Sequence, residues 1–419
     1  MEFIIPSTEE LQYLRPDPLL WEQELDHWPD VAEAVERAVG MRAGKVFWRS
    51  AHDYVYALEL SDIGRGRPSR AMVYGYWDRY EPRPPEHEIS LDLLDFSKWV
   101  ADIAPGMDSK MVDRLARAGG GEKSLTWPEG SVLRTPEERF VNLPDYPYEP
   151  KYVEIEDLRM AYIEHGSGEP VLCLHGEPTW GFLYRRMIPK LSEVGRVIVP
   201  DMIGFGRSDK PTLRQAYSYK SFVRWLRVFI LALDLEKINL VCQDWGGLIG
   251  LRVLAQMPDR FKRLVAMNTA FPCGEFISEG FNNWRRLSQR VPELPITVLM
   301  QRSTQRSLTE DELAAYAAPF PSKEYQTAAL IFPRLVPTRS DHAGAYENRA
   351  AVETLKKLDL PVLLPWAESD EVLGGLEPSL RGIFKNAAPK LTIRNAGHFI
   401  QEDAGEEVAG HIQKWMNKT

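Results

Sequence analysis

From Tyr152 to the C-terminus, short apolar segments alternate with amphipathic segments, and this rhythm restricts the fold more than any other feature of the chain. Strands that alternate with helices form a mostly parallel sheet whose two faces are covered by those helices. Six strands are predicted, namely Val171 to Leu174, Arg196 to Pro200, Ile238 to Cys242, Leu264 to Met267, Pro361 to Trp366 and Leu391 to Arg394. We therefore expect a doubly wound α/β core.

The alternation stops between residues 271 and 350, where Pro and Gly residues separate helical segments such as Phe281 to Gln289 and Thr309 to Ala317. A helical insertion after a core strand commonly lies over the carboxyl ends of the strands, where open α/β sheets bind ligands. We predict that residues 271–350 form a helical cap and that residues 131–270 and 351–419 form the core.

Residues 1–130 have a different pattern. Two aromatic, alternating runs, Lys45 to Leu60 and Arg70 to Tyr80, flank a turn-like segment and predict a β-hairpin in an α+β domain. Gly119 to Ser124 has the composition of a flexible joint, which places the domain boundary near residues 119–133. The sequence does not indicate a role for this domain. A core of its own, a contact within a homo-oligomer, a docking face over the cap and a structural appendage all fit its aromatic content.

The charge and the cysteines exclude several classes of function. A net charge of -9 and a pI near 5.6 disfavour nucleic acid or an anionic membrane as partners, because both reward a clustered basic excess. The N-terminus lacks the pattern of a signal peptide and no run is apolar enough to span a bilayer, so a cytoplasmic protein is expected. Cys173, Cys242 and Cys273 lack metal-ligand spacing, and no P-loop or dinucleotide fingerprint occurs, so neither a metal nor a cofactor is implied.

The segment with the most chemical information is Ile238 to Gly250, in which an apolar strand leads into Asp244 and then into a helix. Small residues, Cys242 and Gly246, stand two positions before and after Asp244. This is the layout of a nucleophile elbow, a sharp turn between strand and helix, with Asp in place of the common Ser. An Asp at the start of a helix can also be no more than an N-cap. The segment alone leaves both interpretations open.

Two further residues follow strand ends in the order used by enzymes with this elbow, which is nucleophile, acid and histidine. Asp370 follows the strand Pro361 to Trp366, and His398 follows the strand Leu391 to Arg394. Taken singly, such an Asp is more often a turn former and such a His a surface loop residue. Their order favours a catalytic triad of Asp244, Asp370 and His398.

The loop after the strand Val171 to Leu174 begins with His175-Gly176-Glu177. An oxyanion hole needs one backbone amide from such a loop and one from the residue after the nucleophile. We expect the amides of Glu177 and Trp245 to stabilise the oxyanion that develops at an ester of Asp244.

Four segments together resemble the haloalkane dehalogenases, enzymes that have an α/β-hydrolase core with a helical cap. The segments are His175 to Trp180, Asp201 to Pro211, Gln243 to Gly247 and Ala396 to Glu402. The resemblance is to the subgroup whose second halide-binding residue is a tryptophan of the cap. It begins near Leu133 and runs to the C-terminus, about two-thirds of the chain, and residues 1–130 lie outside it.

This resemblance implies hydrolysis of a haloalkane to an alcohol and a halide through a covalent alkyl ester on Asp244, with water as the second substrate and no cofactor. Two indole N–H groups would bind the departing halide, since an indole offers a donor and no acceptor. The family pattern assigns them to Trp245 and to Trp284, and it places Phe281, one helical turn earlier, in the same pocket. The alternative for Trp284 is a core aromatic residue of a cap helix.

Other functions are compatible with parts of this pattern. An epoxide hydrolase shares the Asp244, Asp370 and His398 machinery but uses two cap tyrosines, for which Tyr316 and Tyr325 are available. A non-catalytic binding protein of the same fold would have a broken constellation. An esterase is disfavoured because no serine occupies the elbow.

Overall fold

The computed structural model describes four strands before residue 77, Trp127, and residues 130–419 apart from 341 and 343. The chain divides into two compact units, residues 1–124 and residues 125–419. The predicted joint from Gly119 to Ser124 and the predicted helices of the first unit lie outside the described residues.

The first unit contains an antiparallel sheet with the strand order β1-β4-β3-β2. Its strands are β1 (Gln23–Glu24), β2 (Lys45–Arg49), β3 (Val55–Ser61) and β4 (Arg70–Tyr76). The run from Lys45 to Leu60, predicted as one strand of a hairpin, holds two strands that pair with each other, and the second of them also pairs with β4.

The second unit is built on a seven-stranded sheet with the order β13-β12-β11-β8-β9-β7-β6. Within it every neighbouring pair is parallel except the two pairs that include β7. The strands are β6 (Lys151–Ile155), β7 (Leu158–His165), β8 (Pro170–Leu174), β9 (Arg196–Pro200), β11 (Ile238–Gln243), β12 (Phe261–Met267) and β13 (Val362–Leu363). Two short pairs complete it, β5 (Val132–Leu133) with β10 (Lys210–Pro211) and β14 (Pro365–Ala367) with β15 (Leu391–Ile393).

All six predicted core strands are strands in the structure, so the predicted α/β core is confirmed. The segment Pro361 to Trp366 is divided into β13 and β14, which belong to different sheets. Strands β6 and β7 were not among the predicted six. In β6 only Ile155 is buried, so this strand lacks the apolar run by which the others were found.

Helices cover the sheet and fill the segment between β12 and β13. They are α1 (Ile188–Leu191), α2 (Tyr219–Ala232), α3 (Trp245–Gln256), α4 (Glu279–Arg290), α5 (Ile296–Arg302), α6 (Glu310–Ala317), α7 (Thr327–Leu335), α8 (Ala345–Leu355), α9 (Glu377–Arg381) and α10 (Ile400–Met416). Short 3-10 helices are Glu137–Phe140, Gly181–Tyr184, Arg214–Ala216, Pro258–Arg260, Lys323–Gln326 and Gly374–Leu376. Within the described ranges, no helix combines the length and apolar character needed to cross a membrane.

Helices α4 to α7 lie within residues 271–350, the segment for which a helical cap was predicted. Helix α8 crosses the predicted boundary at residue 350, and it packs on α3 of the core. Arg252 of α3 donates through Nε to Oδ1 of Asn348 on α8 (2.8 Å). By these contacts α8 packs with the core, and residues 271–344 are called the helical insertion below.

A buried ionic cluster joins the helical insertion to the core. Arg185 and Glu402 come from the core and are fully buried as side chains, and they form a salt bridge. Arg306 of the insertion donates to both Glu402 and Glu312 (2.6 Å each), and Glu312 also pairs with Arg185 (2.7 Å). The hydroxyl of Tyr316 donates to Glu402 as well. The carboxylate of Glu402 in α10 therefore accepts hydrogen bonds from residues of both the core and the helical insertion.

We predict that Glu402→Gln lowers the free energy of unfolding by about 3–5 kcal/mol, because it leaves the buried Arg185 cation without its full counter-charge. The measurement is urea unfolding followed by circular dichroism. Glu406→Gln, on an exposed position of the same helix, is the control and should stay within about 0.5 kcal/mol of the wild type. Equal stability of the two variants would contradict a stabilising role for the cluster.

Candidate active site

Asp244 lies between the last residue of β11 and the first residue of α3. Its backbone has φ 51° and ψ -124°, a conformation that residues other than Gly rarely adopt. The turn passes very close to the neighbouring loop: a Cβ at Gly246 would lie 2.2 Å from the carbonyl oxygen of Leu174. A Cβ at Gly176 would lie 2.4 Å from Cβ of Asp244. Small residues at these two positions are therefore required for the sharp turn.

The carboxylate of Asp244 does not cap helix α3. Its side chain makes no cap hydrogen bond with the helix, and Oδ1 instead accepts from the backbone N–H of Glu177 (2.9 Å). The backbone carbonyl of Asp244 accepts from Gly247 N (2.9 Å) and from the hydroxyl of Thr269 (2.7 Å). The interpretation of Asp244 as only an N-cap is wrong, because the carboxylate is held by the loop after β8.

Three predicted residues from separate loops meet at this turn. Nε2 of His398 lies 3.6 Å from Oδ2 of Asp244, and its Nδ1 lies 3.1 Å from Oδ2 of Asp370. The other oxygen of Asp370 accepts from the backbone N–H groups of Val372 (2.8 Å) and Leu373 (3.0 Å). His398 is thus placed between two carboxylates, and Asp370 is fixed by its own loop.

The charges at this site shift the pKa values of His398 and Asp370 in opposite directions. Burial by itself would lower the pKa of His398, but the negative charge of Asp370, its hydrogen bond to the ring and the nearby carboxylate of Asp244 outweigh it and raise the pKa to about 10. Burial opposes ionisation of Asp370, yet the charge of His398, its hydrogen bond and two backbone N–H groups lower the pKa of Asp370. The carboxylates on either side of the ring therefore favour the charged form of the imidazole.

Two buried amide side chains hold the His398 loop, and sequence reasoning did not assign them this role. Asn268, directly after β12, donates to the carbonyls of Gly397 and His398 (3.0 Å each) and accepts from Ala367 N (2.9 Å). Nε2 of Gln243 lies 3.2 Å from both the carbonyl oxygen and Nε2 of His398. A polar residue at the end of an apolar strand is the signal that could have identified Asn268.

A cavity of about 140 Å³ opens at Asp244. Its wall is mostly apolar and consists of Glu177, Pro178, Asp244, Trp245, Leu248, Ala270, Ile277, Phe281, Trp284, Leu299, Ser303, Val336, Val372, Leu373, His398 and Phe399. Trp245, Trp284 and Phe281 therefore lie on the wall where the family pattern places them. No tyrosine is among these lining residues. Tyr316 is fully buried against Glu402 and Tyr325 packs on the apolar core.

The two tryptophans have different surroundings. Trp245 is 3% exposed and stacks on Phe332, with ring centroids 4.3 Å apart. Trp284 is half-buried, and its indole Nε1 donates to Oε2 of Glu177 (3.1 Å). Burial and then the charge of Asp244 raise the pKa of Glu177 well above its usual range. The indole N–H of Trp284, which was predicted to bind the halide, is therefore hydrogen-bonded to a carboxyl group that also lines the cavity.

His175 has a structural part in this loop. Its Nε2 accepts from Met202 N (3.0 Å), so the proton lies on Nδ1, which donates to the carbonyl of Gly176 (3.0 Å). Burial lowers the pKa of His175 to about 4, so the ring is neutral at physiological pH. Among the residues that the structure describes, no cluster of three or more His, Cys, Asp or Glu side chains has the arrangement of a metal site.

Comparison with known proteins gives the same family for this chain. Residues 169–405 match the family model of the alpha/beta hydrolase fold. The haloalkane dehalogenase of Psychrobacter cryohalolentis is 44% identical over 297 residues, which are 68% of this chain and 98% of that protein. Haloalkane dehalogenase 1 of Mycobacterium bovis is 43% identical over 298 residues, 69% of this chain and 99% of that protein.

The solved structures agree with the sequences. A tetrameric haloalkane dehalogenase from Paraglaciecola agarilytica superposes with a TM-score of 0.65 at 40% identity, over 67% of this chain and 97% of that one. The N-terminal region has no counterpart in these matches. The matched part of this chain spans nearly the whole length of these relatives. The chain therefore belongs to the haloalkane dehalogenase family of α/β hydrolases.

Proposed function

We propose that this protein hydrolyses short haloalkanes through an alkyl ester on Asp244. In the first step a carboxylate oxygen of Asp244 attacks the carbon that carries the halogen, a C–O bond forms, and the halide leaves with the bonding electrons. Trp245 and Trp284 would bind that halide. The observation that carries the proposal is an ionisable aspartate on an elbow, in a mostly apolar cavity whose wall holds two tryptophans and a histidine.

The second step is hydrolysis of the ester. His398 takes a proton from water while the water oxygen attacks the ester carbonyl and forms a tetrahedral intermediate. The bond from the carbonyl carbon to the alkyl oxygen then breaks, that oxygen takes a proton and leaves as the alcohol, and the Asp244 carboxylate is regenerated. The amide of Glu177, which already donates to Oδ1 of Asp244 (2.9 Å), would stabilise the oxyanion together with the amide of Trp245. Products are the alcohol, the halide and one proton.

Esterification itself would prepare the base for this step. An alkylated Asp244 carries no charge, so one of the two carboxylates that raise the pKa of His398 is lost. The pKa of the imidazole then falls, so the ring can release its proton to solvent and His398 becomes able to accept one from water. Asp370 keeps its charge and orients the ring through Nδ1 (3.1 Å).

The size of the cavity supports substrates with few carbon atoms. Its volume of about 140 Å³ is close to that of a protein cavity that holds one benzene molecule. A helical insertion over the carboxyl ends of the strands would close this space, so residues 271–344 act as the cap in this proposal. We also predict a homo-oligomer formed through residues 1–130, most of which lie outside the described part of the chain.

The test is halide release from bromo- and chloroalkanes with two to six carbon atoms. The proposal predicts release that is fastest for the short members and produces one alcohol for each halide. Glu371→Gln, an exposed position beside the acid Asp370, is a control that should keep the wild-type rate. If no member of this panel releases halide and a short epoxide is turned over, the epoxide hydrolase alternative would be supported. No tyrosine is among the cavity-lining residues described above.

We predict that Trp284→Phe reduces kcat/KM for a bromoalkane by about 10²-fold, because it removes one of two N–H donors to the halide. The measurement is initial halide release across substrate concentrations. Trp415→Phe is the matched control, since Trp415 is a half-buried tryptophan of the C-terminal helix and does not line the cavity. Equal losses in both variants would argue against a halide contact for Trp284.

A further inference from the structure

The side chain of Glu177 has no part in the reaction steps given above, although it lies beside the reacting atoms. It lines the cavity, it is 5% exposed, and its own backbone N–H donates to Asp244. Oε2 accepts the indole N–H of Trp284 (3.1 Å), and Oε1 is buried with no hydrogen-bond partner among the described residues. A buried carboxyl group in contact with the halide site is therefore unassigned.

This surrounding favours an uncharged carboxyl group. A buried carboxylate is costly unless cations or several donors satisfy it. Glu177 has one donor, the indole of Trp284, and no cation within 4 Å is paired with it in the described part of the chain. The ionisable groups that face it are Asp244, whose charge opposes a second anion, and His398, whose charge favours one. Burial and the charge of Asp244 are the larger effects, and both raise the pKa of Glu177, which favours the uncharged carboxyl group.

The indole of Trp284 has a single proton to donate. In the structure that proton is given to Glu177, and a halide bound at Trp284 needs the same proton. The two acceptors therefore compete for one N–H group. An uncharged carboxyl oxygen is a weaker acceptor than a carboxylate, and it does not repel a halide.

Building on the proposed halide role of Trp284, we propose that Glu177 is a neutral acceptor that holds the Trp284 N–H in the empty site and gives it up to the halide. Glu177 is in this sense a positioning residue of the halide site. It satisfies the indole N–H when no halide is present, and it takes the N–H back when the halide leaves. Its lack of charge is what allows the exchange.

The experiment is a bromide titration at pH 7, monitored by quenching of tryptophan fluorescence, on the wild type and four variants. Glu177→Gln keeps a neutral acceptor of the same shape, so its bromide Kd should stay within about threefold of the wild-type value. If Glu177 were ionised, this variant would bind bromide at least about tenfold more tightly, and the proposal would be overturned.

Glu177→Met removes the acceptor and keeps a similar volume. Its empty site leaves a partly buried N–H unsatisfied, and bromide relieves that cost, so we expect binding about tenfold tighter than in the wild type. In a Trp284→Phe background the same change should have no effect, because no N–H is left to exchange. Weaker or unchanged bromide binding in Glu177→Met would overturn the exchange.

Infrared difference spectra, with and without bromide, report the charge of Glu177 even if the Met variant folds poorly. The C=O band of a protonated carboxyl group should shift when bromide binds and be absent in Glu177→Gln. A carboxylate band in its place would overturn the proposal. Wild-type bromide affinity in Trp284→Phe would instead refute the halide role of Trp284, so the two failures are distinguishable.

Discussion

Asp244→Asn is expected to reduce halide release by about 10⁴- to 10⁶-fold, the largest effect of any single change in this protein. The amide is a far weaker nucleophile than the carboxylate, and the only other carboxyl group among the cavity-lining residues, that of Glu177, is uncharged in the proposal above. Halide release from a short bromoalkane measures the effect. Asp244→Ala, in which no amide can hydrolyse back to a carboxylate, should give the same result.

Asp259→Asn is the matched control for this prediction. Asp259 is exposed in a 3-10 helix of the same unit, and the same chemical change there should leave the rate unaltered. Bromide quenching of tryptophan fluorescence checks that the halide site of Asp244→Asn is intact. Halide release within tenfold of the wild type would exclude Asp244 as the nucleophile and would call for direct attack by water.

His398→Gln should separate the two steps of the reaction. Attack by Asp244 does not need the imidazole, so the ester should form and release one halide per protein molecule. Hydrolysis would then lack its general base, and steady-state turnover should fall by up to about 10⁴-fold. Intact-protein mass spectrometry should show one added alkyl group, located on Asp244 by peptide mapping.

His411→Gln is the control for this variant, since His411 is partly exposed on helix α10 and is outside the cavity. It should show neither the added mass nor the loss of turnover. An unmodified mass of His398→Gln after incubation with a substrate that the wild type accepts would contradict a covalent intermediate. It would also remove the reason for placing His398 only in the second step.

The sequence by itself determined the core of this protein and the order of its reactive residues. Apolar strands such as β9 and β11 are specified by local patterns of buried residues, which is why the sequence located them within one or two residues. Asp244, Asp370 and His398 were identified because each follows the end of a predicted strand, in the chain order nucleophile, acid and histidine. Strand β6 was missed because it has only one buried residue and therefore lacks such a local apolar pattern.

Only the tertiary structure decided which polar groups touch. Glu177 and Trp284 are 107 residues apart in the sequence. Their contact depends on how the helical insertion packs on the core. The same packing buries Tyr316 against Glu402 and removes it from the cavity wall, against the epoxide hydrolase alternative. Hydrogen bonds between distant side chains depend on tenths of an ångström. A pattern along the chain specifies which face a residue lies on, but it carries no information on contacts at that scale.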